Sequence, residues 1–284
     1  MRKLTISLLT GVLLIVLAAC GSSNEEGSNS GNGNGEEGTD EITVGATSTP
    51  HAEVLEEAKP LLEEEGITLN IEEYQDYVLP NQHLDAGEID ANYFQHIPYL
   101  EQQKEENGYD FVNLGGIHIE PMGIYSSSIS SLDEIEDGTT VLMSRSVADH
   151  GRILSLLERE GLIKLDKDVN KVDATTDDVV ENPKNLKFDA QYEAAFLPEM
   201  YEREENTLVA INTNYAIEAD LNPSEDALIL EGSESPYVNV IAANASDEDS
   251  EALQTLVDVL RTEEIQSFIK EEYDGAVVPV NGND

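Results

Sequence analysis

The sequence predicts an α/β protein built of two lobes, and three observations predict it. From residue 41 onward, short β-rich runs alternate with amphipathic helical segments, the pattern of a mainly parallel sheet layered with helices. After "SLDEIEDG" (131–138) the same alternation starts again, giving two units of similar size. Neither unit carries a GxGxxG or GxxxxGK[ST] loop, so nucleotide and dinucleotide readings lose their usual support. Two such units imply two lobes with a cleft between them.

The first unit opens with "EITVGAT" (41–47), a short alternating strand. A helix is expected from Thr49 and Pro50, with Val54, Leu55, Ala58, Leu61 and Leu62 on one face and Gly66 as its stop. "TLNIEEY" (68–74) reads as strand, a short helix runs from Pro80 to Gly87, and "EIDANY" (88–93) reads as strand again. Pro98 starts a helix to about Asn107, and 110–126 holds two strand segments.

In the second unit "TTVLMS" (139–144) is a strand, and 148–160 is a helix with Ile153, Leu154 and Leu157 inward. Strand "NLKFDA" (185–190) precedes a helix near 191–203. Further strands are expected at "LVAIN" (208–212), "DALILEG" (226–232) and "YVNVIAA" (237–243). Two helices close the chain, 247–260 and 263–273, the first with Leu253, Leu256, Val257 and Leu260 as its buried stripe.

The ends and the composition bound what such a fold is for. Arg2 and Lys3, then the mostly apolar Leu4 to Leu17, then "LAAC" read as a processing signal (1–19) ahead of Cys20. The apolar stretch is short of the ~20 residues that a membrane span needs. Cys20 is the only cysteine, so no intramolecular disulfide forms. Its position resembles the lipobox of bacterial lipoproteins, where the cysteine is cleaved and acylated; an uncleaved hydrophobic anchor is the alternative. Residues 20–40, Gly-, Ser-, Asn- and Glu-rich after the cysteine, read as a flexible tether. The mature chain is therefore expected outside the cytoplasm, held at a membrane surface by lipid on Cys20 and not inserted in it.

The net charge of -44 excludes nucleic acid and anionic lipid as partners of the folded part. The acids fall in short runs such as Glu63-Glu64-Glu65 and Asp247-Glu248-Asp249, between apolar positions at helical spacing. That is a solvated outer face, tolerable where salt screens repulsion over a few ångströms, so a salty or alkaline medium is expected. The histidines at 51, 83, 96, 118 and 150 form no HxxxH or HExxH pair, and no metal or cofactor is expected. No Gly-x-Ser-x-Gly elbow announces a hydrolase.

One stretch stands out. Aromatics make up only 6% of the chain, with no Trp, yet "ANYFQHIPYL" (91–100) gathers two tyrosines, a phenylalanine and a histidine without a charge. A plain core strand running into a helix would explain it, and so would the wall of an apolar pocket.

Nine segments in order bring specificity: "VGATSTPHAEVLEEAKPLL", "DYVLPN", "GEIDANYFQHIPYL", "EPMGIYS", "HGRILSLLEREGLIKL", "ENPKNLKF", "INTNYA", "SPYVNVI" and "GAVVP". Behind a lipobox and over essentially all of 41–284, they resemble the methionine-binding lipoprotein family, the substrate-capturing subunits of methionine ABC importers. The resemblance implies a type 2 periplasmic-binding-protein-like fold whose lobes close on the ligand. Lobe 1 would comprise 41–124 plus 240–284 and lobe 2 125–239. It further implies an apolar pocket at Tyr77, Phe94, His96 and Tyr99, a carboxylate-binding guanidinium at Arg152, and polar contacts from Asn212 and Asn239. ABC permease subunits would be the partners, and a monomer is expected.

The chemistry of methionine fits those residue types. A thioether packs well against aromatic rings, worth about 0.3–1.5 kcal/mol per contact. A guanidinium pairs bidentately with a carboxylate. Arg152, one of only six arginines, sits near a helix start that itself favours an anion; pairing with a neighbouring surface acid is its bland alternative.

The loop "SRSVADHGR" (144–152) departs from the family, which usually shows an Asn-Asp-Pro-Thr-Asn type sequence there. Asp149 stands where an amide is expected. It would either cap the helix or grip the ligand ammonium with Arg145 offsetting its charge. L-methionine is favoured, with D-methionine, a methionyl derivative or a short peptide as alternatives. The competing classes are a surface-anchored enzyme, which would need a nucleophile–base set in the cleft, and an adhesin, which would have no use for a buried arginine facing aromatics.

Overall fold

The computed structural model describes residues 40–232 and 235–280. The expected signal, Cys20 and all but the last residue of the tether lie outside these residues. Asp40, expected to end the tether, is instead the first residue of strand β1 (Asp40–Thr47), paired with Ile67.

After β1 and a helical turn (Ser48–Ala52) comes helix α1 (Glu53–Glu64). Its stripe of Val54, Leu55, Ala58 and Leu62 is buried, and each such aliphatic contributes roughly 1.5–3 kcal/mol. Strand β2 (Ile67–Tyr74), helix α2 (Leu79–Asp85), strand β3 (Ala91–His96), helix α3 (Ile97–Asn107) and strand β4 (Phe111–Ile119) follow. Helix α3 ends at Gly108, whose φ of 76° is left-handed and suits glycine. Then come β5 (Gly123–Tyr125), β6 (Thr140–Ser144), helix α4 (Val147–Arg159) and the ribbon strands β7 (Lys164–Leu165) and β8 (Val179–Glu181). Strand β9 (Lys187–Tyr192), helix α5 (Leu197–Arg203), strand β10 (Thr207–Ile211), helices α6 (Thr213–Glu218) and α7 (Pro223–Asp226) and strand β11 (Ile229–Leu230) complete that half. The chain ends through β12 (Val238–Asn244), α8 (Glu251–Leu260), α9 (Glu263–Glu272) and β13 (Val278–Pro279).

Among the described residues two large sheets result, ordered β13-β4-β12-β3-β1-β2 and β11-β5-β10-β6-β9, beside the two-stranded β7-β8 ribbon. The expectation of mainly parallel pairing needs correction. Only β1–β2 and β1–β3 in the first sheet, and β10–β6 and β6–β9 in the second, run parallel. Strand β12 comes back from the other lobe and enters the first sheet antiparallel to both β3 and β4. Local strand–helix alternation carries no information about such a returning strand.

The chain leaves the first sheet after Ile119, enters the second at Gly123, and returns between Leu230 and Val238. Residues 123–124 pair in the second sheet and 238–239 in the first. Which sheet a strand end joins depends on partners far along the chain. Each sheet carries its own apolar core, one around Val44, Leu55, Ile241 and Leu256, the other around Ile124, Met143, Leu154 and Leu208. The acidic runs at 63–65, 105–106, 247–249 and 263–264 are all exposed.

Candidate ligand-binding site

Every residue of β3 is buried, and its two faces do different work. Tyr93 points into the first-lobe core, where its hydroxyl bonds His118 Nδ1. Phe94 and His96 line a cavity between the lobes, and Tyr99, one helical turn on, joins them. The aromatic stretch is therefore half core and half cavity wall. Tyr77, Phe94 and Tyr99 form a triangle of rings with centroids 6.0, 6.1 and 6.1 Å apart. The Tyr99 hydroxyl donates to Tyr77 O at 2.8 Å and locks the corner.

His96 ends β3 and caps α3: its Nδ1 accepts from Tyr99 N–H at 3.1 Å. The hydrogen must then reside on Nε2, which donates to Asp149 Oδ1 at 3.1 Å. Asp149 also accepts from Ser144 Oγ (3.3 Å) and Asn212 Nδ2 (3.4 Å). Burial works to raise its carboxyl, but His96, Arg152 and Asn212 outweigh that and hold it below the ordinary carboxylate value.

Asp149 and Arg152 stand three residues apart on one face of α4, with Arg152 in the second turn rather than at the helix start. Gly151 makes this placement feasible: a Cβ there would lie 2.2 Å from Lys171 O and 2.3 Å from Val172 O. Arg152 is 5% exposed. Its Nη2 donates to Glu120 O (2.9 Å) and to the Glu231 carboxylate, while its Nη1 lies 3.9 Å from Asp149 Oδ1. Its Cζ sits 4.3 Å over the Tyr237 ring. Burial alone would lower its pKa; the carboxylates of Glu231 and Asp149 reverse that and raise it. Arg145 does not offset Asp149 as expected. It points outward, more than half exposed, and pairs with Glu193, while Asp149 faces Arg152 on its own helix and accepts a hydrogen bond from His96.

Asn239 reaches the cavity through strand register, opposite His96 on one side and His118 on the other. Asn212 precedes α6. Thus Tyr77, Phe94, His96, Tyr99, Asp149, Arg152, Asn212 and Asn239, all expected from the sequence, line a single cavity. Its volume is about 20 Å³, room for a single water. An amino acid needs more room than that.

Gln95, Glu120, Thr213 and Asn214 also line the cavity and escaped the sequence reading. Asn214 had a signal, two residues beyond Asn212 in "INTNYA". Glu120 opens the family-like segment "EPMGIYS", but nothing local marks it out from the rest of the 59 Asp and Glu residues. Tyr77 OH donates to Asn214 Oδ1 at 2.6 Å across the lobes. Arg152 Nε, Asn212 Oδ1 and Asn214 Nδ2 are buried without a hydrogen-bond partner among the described residues. Two unpaired donors and one acceptor in one cavity complement a group that is anionic at one end and cationic at the other.

The structure also gathers His51, His118 and Glu120, scattered in sequence, within 4.8 Å. Both Nε2 atoms converge on Glu120 Oε1, at 3.1 and 2.8 Å, and the Nδ1 atoms are held by the hydroxyls of Thr47 and Tyr93. Every ligating nitrogen is engaged, so the cluster works as a hydrogen-bond network fixing the carboxylate. Burial opposes ionisation of Glu120, yet the two histidines hold its carboxyl well below the usual range.

A family model described as NlpA lipoprotein matches residues 42–281. The methionine-binding lipoprotein MetQ of Bacillus subtilis (strain 168) is 46% identical over 283 residues, 99% of this chain and 100% of that protein. Among solved structures, a pheromone cOB1 precursor/lipoprotein of the YaeC family from Enterococcus faecalis V583 superposes with a TM-score of 0.82 at 49% identity, covering 84% of this chain and 100% of that one. A nutrient-binding protein from Burkholderia cenocepacia, solved bound to methionine, gives 0.79 at 38% identity, covering 84% and 99%.

Proposed function

This chain belongs to the NlpA lipoprotein family, and we propose that it captures L-methionine between its two lobes and delivers it to the membrane subunits of an ABC importer. The observation that carries the reading is one buried cavity combining a triangle of rings with unpaired donors and an unpaired acceptor. The rings suit the thioether, Arg152 and Asn214 the carboxylate, and Asn212 the ammonium. The Bacillus relative's name and the Burkholderia protein's bound methionine support the same ligand.

The lobes act as the bodies that open and close. Binding, not catalysis, is the activity on this reading: among the described residues the carboxylates and histidines of the site are tied to one another. Lipid on Cys20 holds the chain on the extracytoplasmic face of the membrane, the acidic tether lets it reach the permease, and the protein works as a monomer. The acidic surface adapts it to a salty or alkaline medium.

Asp149, standing where the family pattern has an amide, favours a second reading in which the ligand is D-methionine, a methionyl derivative or a short peptide. Mass spectrometry of whatever the freshly purified protein releases on denaturation separates the two. L-methionine, with chirality checked by derivatisation, is the expected result; a non-amino-acid ligand, or no methionine binding in subsequent calorimetry, would overturn the reading.

A further inference from the structure

Glu120 follows β4 directly and lies in the segment that crosses from the first sheet to the second. It is gripped from both sides. From the first lobe, His118 Nε2 donates to Oε1 at 2.8 Å, and His51 Nε2, which donates to Asn239 Oδ1 at 3.2 Å, lies 3.1 Å from the same oxygen. From the second, Asn214 N–H donates to Oε2 at 3.1 Å. Since Oε1 only accepts, both Nε2 atoms carry hydrogen, and the Thr47 and Tyr93 hydroxyls can donate to the opposite nitrogens. The carboxylate is thereby fixed in place as well as in charge.

A carboxylate offers about four acceptor positions. On Asp149 three are taken by His96, Ser144 and Asn212, and the Arg152 guanidinium faces the carboxylate at 3.9 Å. On Glu120 the hydrogen bonds are two, from His118 to Oε1 and from Asn214 N–H to Oε2; His51 crowds Oε1, so the open acceptor position belongs to Oε2 in a residue that walls the cavity. The other unpaired acceptor there is Asn212 Oδ1, while the unpaired donors are Arg152 Nε and Asn214 Nδ2. An amino acid's carboxylate has its partners in the donors, which leaves its ammonium the two acceptors.

We infer that Glu120 receives the ligand's ammonium group, so that the site demands a free α-amine, with His51 and His118 as positioning residues. The assignment rests on the reading of this cavity as an amino-acid site and identifies which end of the ligand the network serves. It makes Glu120, rather than Asp149, the principal anionic contact.

The test compares L-methionine with its des-amino analogue, 4-(methylthio)butanoate, by titration calorimetry on the wild type and on Glu120→Gln. In the wild type, the analogue is expected to bind at least 30-fold more weakly than L-methionine. In Glu120→Gln, L-methionine should lose most of that advantage while the analogue's affinity stays within about threefold. Equal losses for both compounds in the variant would mean that Glu120 only supports the fold, and overturn the assignment. A wild type that binds both compounds alike overturns it too, and needs no variant should Glu120→Gln fail to fold. A wild type that binds neither compound removes the methionine reading itself and this assignment with it.

Discussion

His96 Nε2 lies 3.1 Å from Asp149 Oδ1, and this contact joins the last residue of strand β3 in one lobe to helix α4 in the other. Because Tyr99 N–H occupies Nδ1, His96 is a committed donor to Asp149. Asp149→Asn keeps an acceptor for His96 but removes the charge that faces Arg152 across 3.9 Å. Turning the hydrogen bonds on this carboxylate from charged to neutral costs about 1 kcal/mol each. Calorimetry with L-methionine, D-methionine and methionyl dipeptides should show the preferred ligand weakened roughly tenfold to a hundredfold and the order of preference changed. Identical affinities across that panel in both proteins would dispose of a role for Asp149 in selectivity.

Gly151→Ala places a Cβ against the carbonyl oxygens of Lys171 and Val172. Backbone cannot yield as a side-chain tip can, so α4 must shift, at a cost of about 1–3 kcal/mol. Asp149 and Arg152 ride on that helix. A thermal melt should show a lower Tm without ligand and a much reduced rise on adding L-methionine; a wild-type response would show that α4 tolerates the methyl group.

Tyr77→Phe retains the ring and deletes the 2.6 Å bond to Asn214 Oδ1 across the lobes. The net loss is about 0.5–1.5 kcal/mol, or roughly a two- to tenfold weaker affinity. Since the bond exists only with the lobes together, stopped-flow measurement should find the change in the dissociation rate. A slower association at unchanged dissociation would contradict this.

Glu120 and Asp149 both have their carboxyls depressed in the folded protein, from ordinary values of 4.5 and 3.8. Their stabilisation is present in full above those values and is lost as pH falls through the lower folded ones. Urea midpoints should therefore place Glu120→Gln below the wild type at pH 7, with the gap closing progressively beneath about pH 4.5. A gap that is constant with pH would show that Glu120 contributes no ionised-state stability. The comparison cancels the titration of the exposed acids common to both proteins.

A net charge of -44 repels itself, and the Debye length shrinks from about 10 Å at 0.1 M salt to about 3 Å at 1 M. Adding sodium chloride across that range should raise Tm by several degrees. A flat or falling Tm would remove the salt-adaptation reading.

Elements whose apolar spacing repeats over neighbouring residues were legible in the chain alone, such as the stripe of α1 and that of α8. With family-like segments it also pointed to each of Tyr77, Phe94, His96, Tyr99, Asp149, Arg152, Asn212 and Asn239. Strand ends were less legible: β3 was expected at 88–93 and runs Ala91–His96, up to the helix that follows. Helix α6 and the β7–β8 ribbon, too short for a period to show, were missed.

It took the folded chain to settle how β12 enters its sheet, which sets Asn239 between His96 and His118. It alone decided that Arg145 turns outward to Glu193 while Arg152 turns in, and that of all the acids Glu120 is drawn onto two histidines. The physical reason is range. Periodicity is set by neighbours a turn away, whereas register and burial are set by partners across the fold, and a charge is identical in sequence whether water or an imidazole solvates it.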